Sequence, residues 1–334
     1  MSRAWWTVPG PDGGVLELRQ VTIPSPGPAQ VLVRVRAAGV NRGELIGRAA
    51  LRHDNPQAQP APSGNEFAGD IVALGEGVQD WTVGTRVMGR GAGGHADYIV
   101  VPTRALWRMP EALPFPAAAA LPNVVVTAHD ALVTNAALTA GEAVLITAGS
   151  SGVGTVAIQI ARLRGATPII ATTRSPGKAT ALRAIGASDV INTTQPAWPE
   201  AVRALRGQGV DVVMDQVGGH LFPGLLQAMA LRGRYVSVGR NDGPVSEIDL
   251  DLLARNRLRL IGVTFRTRTV EEALRCSERC AADLAGAINQ GTLCPVLDRV
   301  FPLADLPAAG FAPKVGFALK GTGSAPKVPW HQAS

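Results

Sequence analysis

A glycine-rich turn lies between two apolar runs near the middle of the chain, where residues 148–154 are AGSSGVG. Residues 143–147 are typical of a strand buried on both faces, whereas apolar residues from Val153 to Ile160 recur at steps of three and four, as in a helix. The first amides of such a helix lack internal partners and carry the positive end of its dipole. The turn therefore predicts an anion-binding site, with a packing turn that binds no ligand as the alternative.

The glycine spacing matches the dinucleotide fingerprint G-x-G-x-x-G/A at Gly152, Gly154 and Ala157. A register that starts at Gly149 fails because Ser151 occupies its middle position. Glycines at these positions remove side chains that would keep a pyrophosphate away from the backbone. The predicted cofactor contacts in this turn are Ser150, Gly152, Val153 and Gly154.

The second predicted strand ends in hydroxyl and basic residues. About twenty residues past the first glycine, a carboxylate would bind the ribose hydroxyls of NAD. This chain instead has Thr173 and Arg174, with Lys178 one turn later. An arginine with a nearby lysine attracts the 2′-phosphate of NADP. The sequence therefore predicts NADP(H), bound by these three residues, and the alternative is that the two cations begin a solvated helix.

Composition limits the class of protein. The chain has 334 residues, 46% of them hydrophobic and 17% charged, which is typical of a soluble protein with two cores. No apolar run approaches the roughly 20 residues of a membrane span, and no secretory signal is recognised. The net charge of +6 comes from scattered arginines, so no nucleic-acid surface is predicted. Three cysteines give no disulfide framework, and we expect a reducing, cytoplasmic location.

Hydrophobic patterning divides the chain into two kinds of segment. Residues 1–120 carry short alternating stretches that predict strands of a small barrel. Residues 121–264 alternate strands and helices, which predicts a doubly wound sheet. Its six parallel strands are predicted at 143–147, 168–172, 189–191, 211–214, 234–238 and 258–263. One long helix is predicted over 269–290, then a strand and a short helix that rejoin the first domain, and a disordered tail, KGTGSAPKVPWHQAS.

A series of motifs, in order along most of the chain, resembles one known family. The motifs are AAGVNRGEL, GNEFAGDIVALGEGV, GTRVMG, GGHADYIVVP, AAALP, the glycine-rich turn and GASDVIN. Together they resemble the medium-chain dehydrogenase/reductase superfamily, specifically its zinc-free, zeta-crystallin-like NADPH quinone oxidoreductase branch. The resemblance implies an α/β fold with a GroES-like β-barrel domain (1–120 and 265–334) and a Rossmann domain (121–264). It also implies a homodimer formed by joining the Rossmann sheets edge to edge.

The chain departs from the zinc alcohol dehydrogenases at the positions of the metal ligands. Their histidine beside the glutamate of GNEFAG is Asn65 here, and the segment that carries their cysteine ligand has Val40, Asn41 and Arg42. With neither imidazole nor thiolate at these positions, no metal site is predicted. Cys276 and Cys280, four residues apart on the long helix, are interpreted as packed side chains. Three lone histidines are interpreted as packed or capping residues: His53, His95 and His129.

Without a Lewis acid to polarise an alkoxide, hydride is predicted to pass from the nicotinamide to an acceptor that is already electrophilic. Such acceptors are quinones and α,β-unsaturated carbonyl compounds, whose developing negative oxygen needs a hydrogen-bond donor. The resemblance implies Asn41 at the substrate end and Thr127 near the nicotinamide. The alternatives are a turn residue and a helix cap or buried hydroxyl, respectively. The resemblance also implies contacts to the nicotinamide half from Gly239, Arg240, Thr264, Phe265 and Arg266.

Two departures concern the binding pockets. The tyrosine that many quinone reductases have a few residues after the asparagine is replaced by Leu45 and Ile46, and the tyrosine that often follows VIN is Thr193. Two other classes of function stay open. One is a protein that binds NADPH without catalysis, and the other is an enoyl-thioester reductase. Cations that flank the expected mouth of the pocket would suit the latter: Arg42, Arg48 and Arg52.

Overall fold

The computed structural model describes residues 1–44, 51–52, 54–55, 57–309 and 316–320. Several residues discussed above lie outside the described residues: Leu45, Ile46, Arg48, His53 and the tail from 321 to 334. The described residues form two β-sheets that are built mainly from the amino-terminal part of the chain, and a third, parallel sheet built from its central part.

The amino-terminal strands form a small and a large sheet. In chain order they are β1 (Ser2–Val8), β2 (Val15–Val21), β3 (Gln30–Val40), β4 (Ala61–Pro62), β5 (Glu66–Leu74), β6 (Arg86–Arg90), β7 (Tyr98–Pro102) and β8 (Leu106–Arg108). The small sheet has the order β2-β1-β4, and the large one contains β3-β5-β6-β8, with β7 paired to β3. Val31, Val33, Phe67 and Ile71 are fully buried between strands of the large sheet, and they form a core separate from that of the central sheet.

The central sheet has six parallel strands. They are β9 (Val144–Ile146), β10 (Ile169–Thr173), β11 (Asp189–Asn192), β12 (Val210–Asp215), β13 (Met229–Ser237) and β14 (Arg259–Gly262). Their order is β11-β10-β9-β12-β13-β14, and all neighbouring pairs are parallel. The six predicted strands are confirmed, although β13 begins earlier than predicted. The chain winds in one direction from β9 to β11 and in the other from β12 to β14, which places the switch point, the usual ligand-binding crevice of such sheets, between β9 and β12.

Most of the helices cover this sheet or connect its strands, whereas the first packs on strands of the large amino-terminal sheet. They are α1 (Phe115–Ala119), α2 (Pro122–His129), α3 (Gly152–Leu163), α4 (Ala179–Ala184), α5 (Trp198–Ala204), α6 (Phe222–Gln227), α7 (Leu250–Arg255) and α8 (Val270–Asn289). The prediction of one long helix is confirmed by α8, which begins with a capping box between Thr269 and Glu272. Within the described part of the chain, every helix is too short or too polar to cross a bilayer.

The last described strands return to the large amino-terminal sheet, as the sequence predicts. They are β15 (Leu297–Pro302) and β16 (Gly316–Lys320), with the short helix α9 (Leu306–Ala309) between them. Strand β16 pairs antiparallel with β3 and parallel with β15. The indole of Trp5 in β1 donates to the carbonyl oxygen of Leu303 at 2.8 Å, which fixes the returning segment against the small sheet.

Candidate active site

The glycine-rich turn joins β9 to α3 at the carboxyl edge of the parallel sheet. Ser151 caps α3, since its Oγ accepts from the Gly154 amide at 3.0 Å and donates to Gln216 Oε1 at 2.9 Å. A Cβ atom added at Gly154 would overlap the carbonyl oxygen of Ala148. Gly154 is therefore required by packing within the turn. The first amides of α3, however, still lack intrahelical partners and leave an anion-binding helix end at the predicted contacts Gly152 and Val153.

A buried carboxylate joins the ends of three neighbouring strands. Asp215, the last residue of β12, is fully buried. It accepts hydrogen bonds from Thr147 Oγ1 and Tyr235 Oη, both at 2.6 Å, and from the amides of Val217 and Gly218, both at 2.9 Å. Burial raises the pKa of Tyr235 above its usual range, so its hydroxyl remains a donor. Four donors satisfy the buried acid and hold the sheet edge in one arrangement.

Gln216 connects this carboxylate to the surrounding turns. Its Nε2 donates to the carbonyl oxygen of Thr147 at 2.8 Å, and its own carbonyl oxygen accepts from Asn241 Nδ2 at 2.7 Å. A Cβ atom added at Gly239 would overlap that carbonyl oxygen. The predicted contacts Gly239 and Arg240 therefore lie on the same edge as the glycine-rich turn. We call the hydrogen-bonded set Thr147, Asp215, Gln216 and Tyr235 the edge network.

The residues predicted to bind the 2′-phosphate lie just beyond β10. Thr173 is its buried last residue, Arg174 follows and is exposed, and Lys178 ends a short 3-10 turn that leads into α4. Hydrogen bonds from His220 hold the pKa of Asp242 below its usual range, and the charge of Arg174 acts in the same direction. Arg174 is thus close to the loop after β13, and the structure brings the predicted phosphate site beside that loop.

Asn41 follows β3 and contacts a buried acid. Its Nδ2 donates to Glu66 Oε1 at 2.6 Å, and the backbone amide of Asn123, in the first turn of α2, donates to Glu66 Oε2 at 2.8 Å. Glu66 is 1% exposed, and burial raises its pKa to about 7 in spite of these two donors. Asn41 retains one amide hydrogen for another partner. Its contact with a substrate oxygen stays a prediction.

Thr127 lies one turn beyond Asn123, within α2. Its Oγ1 donates to the carbonyl oxygen of Asn123 at 2.7 Å, and the residue is half-buried. The alternative interpretation as a helix cap is wrong, because the residue is inside the helix. Its hydroxyl hydrogen is used by its own helix, so only acceptor lone pairs are left for a ligand.

The loop after β14 contains the three remaining predicted contacts, Thr264, Phe265 and Arg266. The Arg266 amide donates to Thr264 Oγ1 at 3.2 Å, which forms a local turn. The guanidinium groups of Arg90 and Arg268 lie over the Phe265 ring, at 4.4 and 4.5 Å from its centroid. Because Arg90 ends β6, this contact brings the loop of the parallel sheet against the amino-terminal part of the protein.

Amide side chains occupy positions at which the resemblance to the zinc alcohol dehydrogenases would lead us to expect metal ligands. Asn65 Nδ2 donates to Glu44 Oε1 at 3.2 Å. His95 is buried between a serine hydroxyl at 3.0 Å and a backbone carbonyl at 2.9 Å, and His129 Nε2 lies 2.8 Å from Asp283 Oδ2. Both histidines are packed, hydrogen-bonded residues, as predicted. Among the described residues, no three histidine, cysteine or acidic side chains are placed to share a metal ion.

Several site residues are absent from the sequence-based prediction: Glu66, Arg90, Thr147, Asp215, Gln216 and Tyr235. A local signal exists for Asp215, because an acid that ends a buried parallel strand lies at the ligand-binding edge. Glu66 also stands out as an acid at the start of an apolar stretch. Arg90 has no such signal, since its contact with Phe265 joins residues that are far apart in the chain.

Two family models match the chain. The alcohol dehydrogenase GroES-like domain matches residues 27–111, and the zinc-binding dehydrogenase model matches residues 152–279. Human quinone oxidoreductase is 31% identical over 298 residues, which cover 88% of each chain. The rat synaptic vesicle membrane protein VAT-1 homolog is 32% identical over 311 residues, which cover 88% of this chain and 76% of that protein.

Solved structures agree with these matches. An alcohol dehydrogenase superfamily protein from Novosphingobium aromaticivorans has a TM-score of 0.85 and 31% identity, over 96% of this chain and 99% of its own. A mycobacterial protein complexed with NADPH has a TM-score of 0.81 and 27% identity, over 96% of this chain and 100% of its own. A GroES-like unit followed by a dinucleotide-binding sheet defines a nicotinamide-dependent oxidoreductase of the alcohol dehydrogenase type. The chain belongs to the medium-chain dehydrogenase/reductase superfamily, in its zeta-crystallin-like quinone oxidoreductase branch.

Proposed function

We propose that the protein transfers a hydride from NADPH to a quinone or to the activated double bond of an α,β-unsaturated carbonyl compound, without a metal ion. The observation that carries the proposal is the donor set beside Glu66. Asn41 and Asn65 offer amide groups there, which donate hydrogen bonds but are poor zinc ligands beside thiolate or imidazole. An amide donor suits an acceptor that is already electrophilic and gains charge on oxygen.

The residues at the carboxyl edge fit NADP(H). The helix end at Gly152 and Val153 suits the pyrophosphate, and Arg174 with Lys178 suits the 2′-phosphate. The family and the solved relative complexed with NADPH support a nicotinamide cofactor at this edge. When bound, the cofactor supplies the hydride, and the protein contributes binding, orientation and exclusion of water.

The residues of this chain act on the acceptor through Asn41. Glu66 accepts one amide hydrogen of Asn41, which orients the side chain and leaves the second hydrogen free to donate to the acceptor oxygen. That hydrogen bond becomes stronger as the oxygen gains negative charge, so it lowers the barrier more than it tightens ground-state binding. The proton that completes the reduction comes from solvent.

A labelling experiment tests the proposal. NADPH that carries deuterium at the reactive face of its nicotinamide is incubated with the protein and, separately, with a naphthoquinone, an enone and an enoyl thioester. We expect deuterium at the β-carbon of the reduced enone, together with oxidation of NADPH by the quinone. Turnover only with the thioester would favour the enoyl-thioester reductase. No turnover with any acceptor, in the presence of normal NADPH binding, would favour the non-catalytic alternative.

Metal content is tested on the same preparation. We expect full activity after dialysis against a strong chelator and no stoichiometric zinc by elemental analysis, because the amide side chains at the site offer no thiolate or imidazole ligand. Recovery of lost activity by added zinc alone would contradict this part of the proposal.

A further inference from the structure

Arg90 is a partly buried cation whose Nε atom has no hydrogen-bond partner among the described residues. It is the last residue of β6, at the contact between the amino-terminal sheets and the loop that contains Phe265. Charged groups withdrawn from water are normally paired, because an unpaired one is costly. An unpartnered guanidinium at this contact therefore indicates a group that a ligand completes.

Arg90 forms no ion pair among the described residues, although the acid Glu66 lies on the neighbouring strand. Arg268, over the same aromatic ring, has its own ion pair with Asp130 at 2.7 Å. Glu66 is the cross-strand partner of Arg90 in the β5–β6 pair, but its two oxygens accept from Asn41 and Asn123. No ion pair within the described part of the chain includes Arg90. The guanidinium of Arg90 thus lacks both an ion pair and a partner for its Nε atom among these residues.

The geometry of the guanidinium defines the chemistry of the ligand. The central carbon of the guanidinium lies over the Phe265 ring, 4.4 Å from its centroid, and the N–H groups lie in the guanidinium plane. The Nε atom is closed off from solvent, so a carboxylate would accept two parallel hydrogen bonds from the two terminal nitrogens of this planar fork. A dianion such as a phosphate monoester is disfavoured, because the acidic Glu66 lies on the neighbouring strand.

We propose that Arg90 is a specificity-determining residue, whose guanidinium binds a carboxylate carried by the acceptor and so selects anionic acceptors over neutral ones. The inference rests on the proposed function and on the nicotinamide contact of Phe265 that the resemblance implies, which together put the acceptor next to Arg90. Arg90 binds the carboxylate of the acceptor, away from the reacting carbon, while Asn41 contacts the oxygen that gains charge during hydride transfer.

Binding of levulinate, the saturated product that reduction of acetylacrylate would give, tests this assignment without turnover. Levulinate and its methyl ester are titrated by calorimetry into the wild-type protein, Arg90→Met, Arg90→Lys and Arg108→Met, each saturated with NADP⁺. Arg108 is a matched control, because it also lies over an aromatic ring, Trp81, but at an exposed position. We expect Arg90→Met to weaken levulinate binding by about ten- to a hundredfold, the range for a charged hydrogen bond, with no change for the ester.

The other results have defined meanings. An intermediate loss in Arg90→Lys, which keeps the charge without the fork, and no loss in Arg108→Met support the assignment. Equal losses of levulinate and ester binding, weaker NADP⁺ binding in Arg90→Met, or no levulinate binding by the wild type would overturn it. Thermal unfolding of each variant shows that the comparison is made between folded proteins.

Turnover separates this inference from the proposed function. Acetylacrylate and its methyl ester share one reactive enone and differ only in the carboxylate. A wild type that prefers the acid, and an Arg90→Met variant that loses this preference while it still reduces the ester, support both proposals. If the ester and a naphthoquinone are reduced without any preference for the acid, the proposed function stands and the role of Arg90 is wrong. If levulinate binds through Arg90 but no acceptor is reduced, the role of Arg90 stands and the proposed function fails.

Discussion

The two sides of the candidate active site handle buried charge in opposite ways. On the parallel sheet, the carboxylate of Asp215 in the edge network accepts four hydrogen bonds, two from side chains of the network and two from neighbouring backbone amides. On the amino-terminal side, Glu66 has a pKa raised to about 7 by burial, and Arg90 has a sealed nitrogen without a partner. The first side is satisfied by hydrogen bonds within the protein, whereas the second keeps an unpartnered Arg90 nitrogen, which we propose reflects a role in ligand binding.

This difference indicates that the two sides of the site have different roles, one in binding the cofactor and one in recognising the acceptor. A network whose members are all satisfied is rigid and holds a single geometry, which suits the binding of a cofactor common to many reactions. Charged groups with unused hydrogen bonds are costly to maintain, so they are expected where a ligand is recognised. We therefore expect changes in the edge network to act first on stability, and changes beside Glu66 to depend on pH and acceptor.

The largest expected effect tests whether the edge network is rigid. Asp215→Ala leaves the hydroxyls of Thr147 and Tyr235 and two amides without their acceptor, so we expect a loss of at least about 3 kcal/mol in the free energy of unfolding. Tyr235→Phe removes one hydrogen bond from the same acid and should cost only about 1 kcal/mol. Urea unfolding measures both, and similar losses would show that the network does not act as a unit.

The second largest effect is a pH dependence of the free energy of unfolding, which follows from the raised pKa of Glu66. The carboxyl pKa is about 7 in the folded protein against an ordinary 4.5, so the folded state binds the proton more tightly. The resulting stabilisation is complete below the ordinary pKa and is lost as the pH rises through about 7. Between about pH 5 and pH 8, the wild type should lose about 2 to 3 kcal/mol relative to Glu66→Gln, at roughly 1.4 kcal/mol per pKa unit.

Urea unfolding at several pH values checks this expectation. Glu76→Gln is the control, since it removes an exposed carboxylate far from the site. A constant difference between Glu66→Gln and the wild type across this pH range would mean that Glu66 titrates like an exposed acid, and the comparison between the two sides would fail.

A smaller effect is expected for cofactor selectivity. Removing both cations in Arg174→Ala with Lys178→Ala should weaken NADPH binding by about 2 kcal/mol, through the loss of charged hydrogen bonds to the 2′-phosphate. NADH binding should remain unchanged, and added salt should reduce the difference. Fluorescence titration measures both affinities. The control is Arg183→Ala, an exposed cation in α4, and equal losses for NADPH and NADH would contradict the assignment.

The smallest effect concerns Ser151, which joins the glycine-rich turn to the edge network. Ser151→Ala removes the cap of α3 and should cost about 1 kcal/mol in the free energy of unfolding. Thr269→Ala removes the equivalent cap of α8, away from the cofactor edge, and should cost a similar amount. Only Ser151→Ala is expected to weaken NADPH binding as well. If both variants bind NADPH equally well, the link to Gln216 has no part in forming the site.

The strands of the parallel sheet can be predicted from the sequence because they are buried on both faces. Runs such as VLI, IIATT and VVMD are continuous and apolar, and glycine turns or helical periodicity separate them. The strand order of the amino-terminal sheets is harder to predict, because it depends on pairing between strands that are far apart in the sequence. Strand β7 pairs with β3, and β16 comes from near the end of the chain to lie beside β3. No local pattern encodes these neighbours.

The candidate site divides in the same way. The glycine-rich turn and the pair Arg174 and Lys178 are local features, so spacing alone finds them. The environment of Asn41 is not local, because Glu66 is 25 residues away and also bonds Asn123, which lies 57 residues beyond Glu66. The sequence could indicate the residue type but not the buried acid that uses half of its donor capacity. The contact of Arg90 with Phe265 is equally distant and could be seen only in the folded chain.

Strand β14 forms one edge of the parallel sheet, with Arg259 and Leu260 exposed. Its free backbone groups are a template for another strand. The sequence predicts a homodimer joined edge to edge, and if two copies related by a two-fold axis join along β14, the strands of the two sheets run in opposite directions. The two cofactor edges then open on opposite faces of the assembly. Each copy could then bind and release its ligands without steric hindrance from the other copy. A large partner molecule or a flat surface would contact only one cleft at a time.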